Sequence, residues 1–233
     1  MKRSTIVALT IIGVLILDQW LKVYVKTSIF YGEGFNILGL DWARIHFVEN
    51  EGMAFGISFG GRPGKLLLSI FRILMVGLLF YLMSGLIKTR ESKWLIFSFA
   101  LIIAGAIGNI IDSAVYGLIF SESSYHSDLA TFMPEGGGYA GFLEGKVVDM
   151  LYFPMIDSYW PDWVPVVGGD HFQFFRPVFN IADSAISTGV ISILLFHRNF
   201  FTGKKPKVAA TVPAAAASTP GTTDTEGQDQ EEE

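Results

Sequence analysis

Four long apolar runs dominate this chain, at about residues 4–25, 66–87, 94–118 and 177–201. Each is near the roughly 20 residues that a helix needs to cross a bilayer. Hydrocarbon offers no partner to a backbone N–H or C=O, so runs of this kind fold as helices that satisfy their own backbone. The composition agrees: 51% of the 233 residues are hydrophobic and 17% charged, where an ordinary soluble domain carries about 25% charged residues. The expected fold class is a mainly α membrane protein of four transmembrane helices, with a small β-rich extracytoplasmic segment and an interfacial loop insertion. The net charge of −5 misleads, because residues 203–233 hold six acids against three lysines. Residues 1–202, expected to form the membrane domain, carry 14 basic against 16 acidic residues. The tail 203–233 combines an Ala/Thr/Pro/Gly run with acids and cannot bury a core, so it is expected to be disordered.

The chain has no cysteine. That excludes disulfides, thiolate zinc sites and a cysteine nucleophile together. His126 and His171 are far apart and lack ligand spacing, so no metal or cofactor is expected, and no nucleic-acid partner. Met1-Lys2-Arg3 before the first run looks like the start of a signal peptide, but no small-x-small cleavage site follows. Asp18, Gln19, Trp20, Leu21 and Lys22 come instead, and the segment reads as an uncleaved first helix. Asp18 and Lys22 are four apart and share a helix face; a helix-end ion pair with a snorkelling lysine and a functional pair both remain open. In the outer segment 26–64, the stretches 35–40 and 43–48 read as short strands with glycine turns. Asn50-Glu51-Gly52-Met53-Ala54-Phe55-Gly56 follows. It reads either as a hairpin turn or as a backbone that approaches something closely.

The third run contains Ala104-Gly105-Ala106-Ile107-Gly108-Asn109-Ile110-Ile111-Asp112-Ser113. Its small residues let another helix pack closely. Asn109 and Asp112 lie three apart on one face, and an amide and a carboxylate inside a span point to function. Residues 119–146 are a polar Gly/Ser loop. Residues 151–176 are rich in aromatics and prolines and are expected at the headgroup level, which Trp and Tyr favour. The fourth helix is expected to start near Pro177, with Asn180 and Asp183 three apart. Near its N-terminus the helix dipole favours an ionised Asp183. Lys2 and Arg3, then Lys88, Arg90 and Lys93, then Arg198, Lys204 and Lys205 fall on one side of a four-span chain. By the positive-inside rule that side is the cytoplasm. The outer segments 26–64 and 119–176 then face outward, and Asp18, Asn50, Asp112, Asp149, Asn180 and Asp183 all converge toward that face. Two carboxylates in apolar surroundings that meet at one site can share a proton and act as an acid–base pair.

This set of motifs resembles the bacterial lipoprotein signal peptidases (signal peptidase II), four-helix aspartyl proteases of the inner membrane. The resemblance covers most of residues 10–200. It rests on Asp18-Gln-Trp-Leu-Lys22, Asn50-Glu-Gly-Met-Ala-Phe-Gly56, Gly105-Ala-Ile-Gly-Asn109-Ile-Ile-Asp112, Val147-Val-Asp149 and Phe179-Asn-Ile-Ala-Asp183. It implies that Asp149 and Asp183 are catalytic. Asp18, Lys22, Asn50, Gly52, Asn109, Asp112, Asn180 and Ala182 would bind substrate or shape the site. The implied substrate is a diacylglyceryl-modified prolipoprotein, cut just N-terminal to the modified cysteine. The implied setting is the bacterial cytoplasmic membrane, with both termini cytoplasmic, the site toward the outer face, membrane lipids as neighbours, and a monomer. Ala104 and Ser113 depart from the family pattern, which has glycine and arginine there. Arg176 and Lys146 are candidates for the missing cation. The 36 residues between Asp112 and Asp149 exceed the usual link, so 119–146 reads as an insertion. The rival reading is a transporter whose carboxylates relay protons or ions. The one-sided clustering of the acids and the lack of a repeat count against it. A non-catalytic membrane scaffold would give no reason for paired Asn/Asp motifs on two helices.

Overall fold

The computed structural model describes residues 2–51 and 61–198. Helix α1 spans Arg3–Ser28, one turn beyond the expected end. Its buried residues are Asp18, Lys22, Val25 and Lys26. The three ionisable ones are four apart and form one polar stripe, while Leu9, Ile12, Ile16 and Trp20 are exposed. This pattern inverts that of a water-soluble helix and suits a helix whose outer face meets lipid. After β1 (Gly34–Asn36) and β2 (Arg44–Asn50) comes α2, Gly61–Lys88. Gly52 lies outside the described residues.

Helix α3 spans Lys93–Ile111, and the Ser92 hydroxyl caps it by accepting from the Leu95 N–H at 3.1 Å. It packs against α1, α2 and α5. The expected helix 94–118 does not run on unchanged: it widens into a π turn over Asp112–Tyr116 and closes with a last turn, α4, Gly117–Ile119. Such single π turns often mark functional positions. The loop 119–146 folds back on this end. Met133 N–H donates to Ile119 O at 2.7 Å, Ala140 N–H to Gly117 O at 2.9 Å, and Gly145 N–H to Ser113 O at 2.8 Å.

Strand β3, Val147–Tyr152, is followed by β4 (Ile156–Tyr159), β5 (His171–Phe174) and β6 (Val178–Phe179). Strands β1, β2, β3 and β6 form an antiparallel sheet in that order, and β4 pairs with β5 separately. Helix α5 spans Ile181–Phe196. The expected start at Pro177 is therefore wrong by four residues. Residues 178–179 are drawn into the sheet, where Tyr152 pairs with Val178 and Leu151 with Phe179, and Asn180 rather than Pro177 starts the helix. The expected end at 201 falls outside the described residues, as does the tail.

Among the described residues, three helices, Arg3–Ser28, Pro63–Lys88 and Lys93–Ile119, are long and apolar enough to cross a membrane, and Ile181–Phe196 is a shorter apolar helix. Two apolar clusters frame the interior. Val25, Ile29, Ile45, Phe47, Tyr116, Phe120, Val148 and Met150 pack beneath the sheet. Met83, Leu86, Leu95, Ile96, Phe99, Ala100, Ile103 and Ile193 pack at the opposite ends of the helices. Along α1 the order is Val7 and Ile11, then Asp18 and Lys22, then Val25 and Ile29. A polar layer thus lies between the clusters.

That layer depends on close helix approach. A Cβ at Gly105 would lie 2.1 Å from the Ala182 carbonyl oxygen, and one at Gly108 would lie 2.7 Å from Asp18 Oδ2. Overpacking of this kind costs about 1–3 kcal/mol. Gly105→Val is therefore expected to lower Tm in detergent by about 5 °C. Gly85→Ala, where the added carbon meets nothing within 4 Å, is expected to leave Tm unchanged or raise it. Thermal unfolding of both variants followed by tryptophan fluorescence checks this.

Candidate active site

The polar layer is built from four elements. Helix α1 contributes Asp18 and Lys22, with no solvent exposure. The Lys22 ammonium lies 2.9 Å from Asp18 Oδ2 and 2.8 Å from Asp112 Oδ2, and donates to Asn109 Oδ1 at 3.0 Å. An isolated ammonium here would be very costly, and three oxygens around it supply the compensation. The ion pair between Asp18 and Lys22 is therefore central to the site rather than a helix-end feature.

Asp18 Oδ1 accepts from the Ala182 N–H at 2.8 Å. This N–H belongs to the first turn of α5, where backbone donors lack partners within the helix, so Asp18 completes that end electrostatically. Asp112 Oδ2 accepts from the Val148 N–H at 3.3 Å, at the start of β3. One lysine thus holds two carboxylates, and each carboxylate anchors an element that carries a candidate catalytic aspartate.

Asn180 is the N-cap of α5. Its Oδ1 accepts from the Asp183 N–H at 2.9 Å, and its own N–H donates to Asp183 Oδ2 at 3.4 Å. This reciprocal pair is a capping box with Asp in place of Glu. The same Asn180 donates through Nδ2 to Asp149 Oδ1 at 2.8 Å, with Asn109 Oδ1 at 3.2 Å and Val148 O at 3.3 Å also in reach. Asn109 Nδ2 donates to Asp183 Oδ1 at 2.8 Å, and Asn50 Nδ2 donates to Asp149 Oδ2 at 3.3 Å. Each aspartate is thereby held by two amide donors, and Asn180 bonds to both. Asp149 is 2% exposed. Burial, followed by the charge of Asp183, pushes its carboxyl up to about 7. The Asn50 and Asn180 hydrogen bonds and Lys22 oppose that rise.

Of the residues singled out in the sequence, Asp18, Lys22, Asn50, Asn109, Asp112, Asp149, Asn180, Ala182 and Asp183 therefore form one connected network. The two candidates for the missing cation have other neighbours. Lys146 lies 3.6 Å from Glu122, and Arg176 lines a shallow pocket of about 490 Å³ against Arg44, His46 and Tyr152. Ser113 is buried, and its hydroxyl turns back to Asn109 O at 3.1 Å. Among the described residues, the cations that interact with the carboxylates include Lys22, Lys26, which interacts with Asp112, and, from α2, Arg72, which interacts electrostatically with Asp183, Asp112 and Asp149. The sequence reading passed over Arg72 as an interruption in an apolar run; a lone arginine inside a span was itself the signal. Gln19 was also missed. Its Nε2 lies 2.9 Å from Asp112 Oδ1 and 3.1 Å from Asp18 Oδ2, and its Oε1 accepts from the Tyr116 hydroxyl at 3.1 Å.

Comparisons with known proteins identify the family. The family model for signal peptidase II matches residues 10–199. A lipoprotein signal peptidase of Porphyromonas gingivalis is 47% identical over 196 residues, 84% of either chain. One of Amoebophilus asiaticus is 38% identical over 186 residues, covering 78% of this chain and 73% of the relative. Two solved bacterial membrane enzymes share the fold. One has a TM-score of 0.53 and 24% identity over 86% of this chain and 92% of its own. The other has a TM-score of 0.51 and 26% identity over 81% and 89%. The chain belongs to the signal peptidase II family, the lipoprotein signal peptidases, and is a multi-pass membrane protease.

Proposed function

We propose that Asp149 and Asp183 are the reacting pair of this peptidase. Its reaction is hydrolysis of the peptide bond N-terminal to a diacylglyceryl-modified cysteine in a prolipoprotein. The observation that carries the assignment is the double use of Asn180, which donates to Asp149 through its side chain and to Asp183 through its backbone. Two carboxylates so close cannot both ionise freely, and the rise of Asp149 to about 7 has the neighbouring Asp183 charge among its causes. At neutral pH the pair shares a proton, and the two transitions belong to the pair. The ionised member takes a proton from water as the oxygen attacks the scissile carbonyl carbon. The protonated member gives its proton to the carbonyl oxygen. Collapse of the tetrahedral species breaks the C–N bond: the proton taken from water passes to the leaving nitrogen, and one hydroxyl of the diol returns a proton to the member that gave one, which restores the pair. The amides of Asn50, Asn109 and Asn180 hold the two carboxylates, and Asp18 and Asp112 shape the site without reacting.

The chain spans the bacterial cytoplasmic membrane four times, as a monomer among lipids, with α5 as the shortest span. Support for the topology comes from the ends of the helices. Arg3 donates to Glu91 O at 2.9 Å and Arg90 O at 2.7 Å, so the first basic residues and the basic 88–93 loop share one end. Ser98 and Ser192 hydroxyls meet at 2.8 Å, which brings the far end of α5 toward the same end. By the positive-inside rule this end is cytoplasmic, and the dyad faces outward beneath the sheet. The exposed Tyr159, Trp163 and Phe174 suit an interfacial setting for the β4–β5 hairpin.

Asp149→Asn and Asp183→Asn are each expected to lower kcat by roughly 10³-fold or more while the protein still inserts. Cleavage of a diacylglyceryl-modified peptide in detergent, with an unlipidated copy as control, checks this; near-normal activity in either variant would remove the dyad. Wild-type activity is expected to fall as pH rises through about 7, where Asp149 loses its proton. The same upward shift means that the fold binds this proton more tightly than the unfolded chain does. Stability therefore falls as pH rises from the ordinary value of 3.8 toward about 7. Asp149→Asn is expected to flatten that slope, which unfolding measured across this range tests.

A further inference from the structure

A second buried ionic cluster lies one helical turn from Lys22. The Lys26 side chain has no solvent exposure. It forms an ion pair with Glu49 on β2. It also donates to Ser123 Oγ at 2.8 Å and sits over the rings of Phe120 at 5.5 Å and Tyr139 at 5.2 Å. Ser123 Oγ also lies 3.4 Å from Glu49 Oε1. The Tyr139 hydroxyl accepts from the Lys146 N–H at 2.7 Å, one residue before β3. The cluster therefore ties α1 and the end of β2 to both ends of the 119–146 segment.

Stability is a poor reason for such a pair. Taking an ammonium and a carboxylate out of water costs about as much as their attraction returns, and apolar residues of similar size often serve as well. Among the described residues, Glu49 Oε2 is buried without a hydrogen-bond partner, which adds to that cost. What the pair supplies is a fixed position. Glu49 stands opposite Val148, and the next residue, Asn50, stands opposite Val147. Asn50 Nδ2 donates to Asp149 at 3.3 Å, a distance with little slack. A small slip of this strand end breaks that bond.

We propose that Lys26, Glu49 and Ser123 are positioning residues that hold Asn50 against Asp149, which makes the 119–146 segment a working part of the site. This rests on Asp149 and Asp183 being the reacting pair. Lys22 fixes the Asp183 half through Asn109, and Lys26, on the same face of α1, fixes the Asp149 half through β2. The charged and titratable groups facing the cluster are Tyr31, Lys146, Asp112 and Tyr139. Those facing Asp149 are Asp183 from α5, Lys22 from α1 and Arg72 from α2.

The test compares wild type, Lys26→Met/Glu49→Leu and Ser123→Ala on a diacylglyceryl-modified peptide across the pH range of the Asp149 transition. The double variant leaves no unpaired charge, so its Tm is expected near that of wild type. Its kcat is expected to fall about tenfold with KM held within about twofold. Its alkaline limb is expected to move to higher pH, because Asp149 loses a donor that favours its ionised form. Ser123→Ala keeps the ion pair and is expected to lower kcat about threefold with a smaller shift of the same sign. A folded double variant with wild-type kcat and an unmoved limb overturns the proposal. Should the double variant not fold, Glu49→Gln and Ser123→Ala decide on the same two readouts. A wild type that leaves the lipidated peptide uncut overturns the proposed function instead.

Discussion

The buried ammonium of Lys22 is the interaction on which the rest depends. Its contacts with Asp18, Asp112 and Asn109 are the reason three elements can meet in an apolar interior. Removing it would leave two carboxylates without the ammonium they share, a change of about 3–5 kcal/mol for a single buried partner. The consequences would spread beyond charge. Asp18 caps the start of α5 through the Ala182 N–H, and Asp112 holds the start of β3 through the Val148 N–H. The lysine therefore sets how far apart two backbones lie, and each backbone carries one member of the aspartate pair.

Small residues on α3 make this spacing possible. The lack of a side chain at Gly105 and Gly108 lets the α5 N-terminus and the Asp18 carboxylate come within contact of the α3 backbone. Larger residues would hold the helices apart and leave the amides of Asn109 and Asn180 short of their acceptors. Lipid gives little hydrophobic push between helices, so close packing and interhelical hydrogen bonds must hold them together. In this chain the same groups perform both tasks, since the bonds that join the helices also orient the two carboxylates.

Much of this was legible in the sequence, for definite reasons. Apolar length revealed the first three helices, and Asn/Asp pairs at spacing three revealed faces of α3 and α5. The start of α5 was misread because Pro177 is a good first-turn residue in general. The pairing of Val178 and Phe179 with β3 is a long-range fact that local preference does not carry. The π turn at Asp112–Tyr116 has no local signature either. Lys26 was passed over, because its partners Glu49 and Ser123 lie 23 and 97 residues away. Arg72 was set aside for the opposite reason: attention to hydropathy treated a charge as an interruption when the charge was the information.

The charges around the site also explain why the proposed pair holds one proton. Asp18, Asp112, Asp149 and Asp183 can supply four negative charges; among the described residues Lys22 and Arg72 face them, and Lys26, which also interacts with Asp112, is already paired with Glu49. Full ionisation would leave an excess of two negative charges in a medium where such an excess is poorly screened. One retained proton halves it. Lys22 is already committed to Asp18 and Asp112, so the excess falls mainly on Asp149 and Asp183. Of these, Asp149 is the one that burial pushes up to about 7. Asp183 sits in the first turn of α5, joined to the N-cap Asn180 in a capping box. The difference between the two carboxylates thus follows from secondary structure. One lies on a buried strand and the other at the N-terminus of a helix, and unlike settings of this kind are what can set two carboxyls apart as acid and base at one pH.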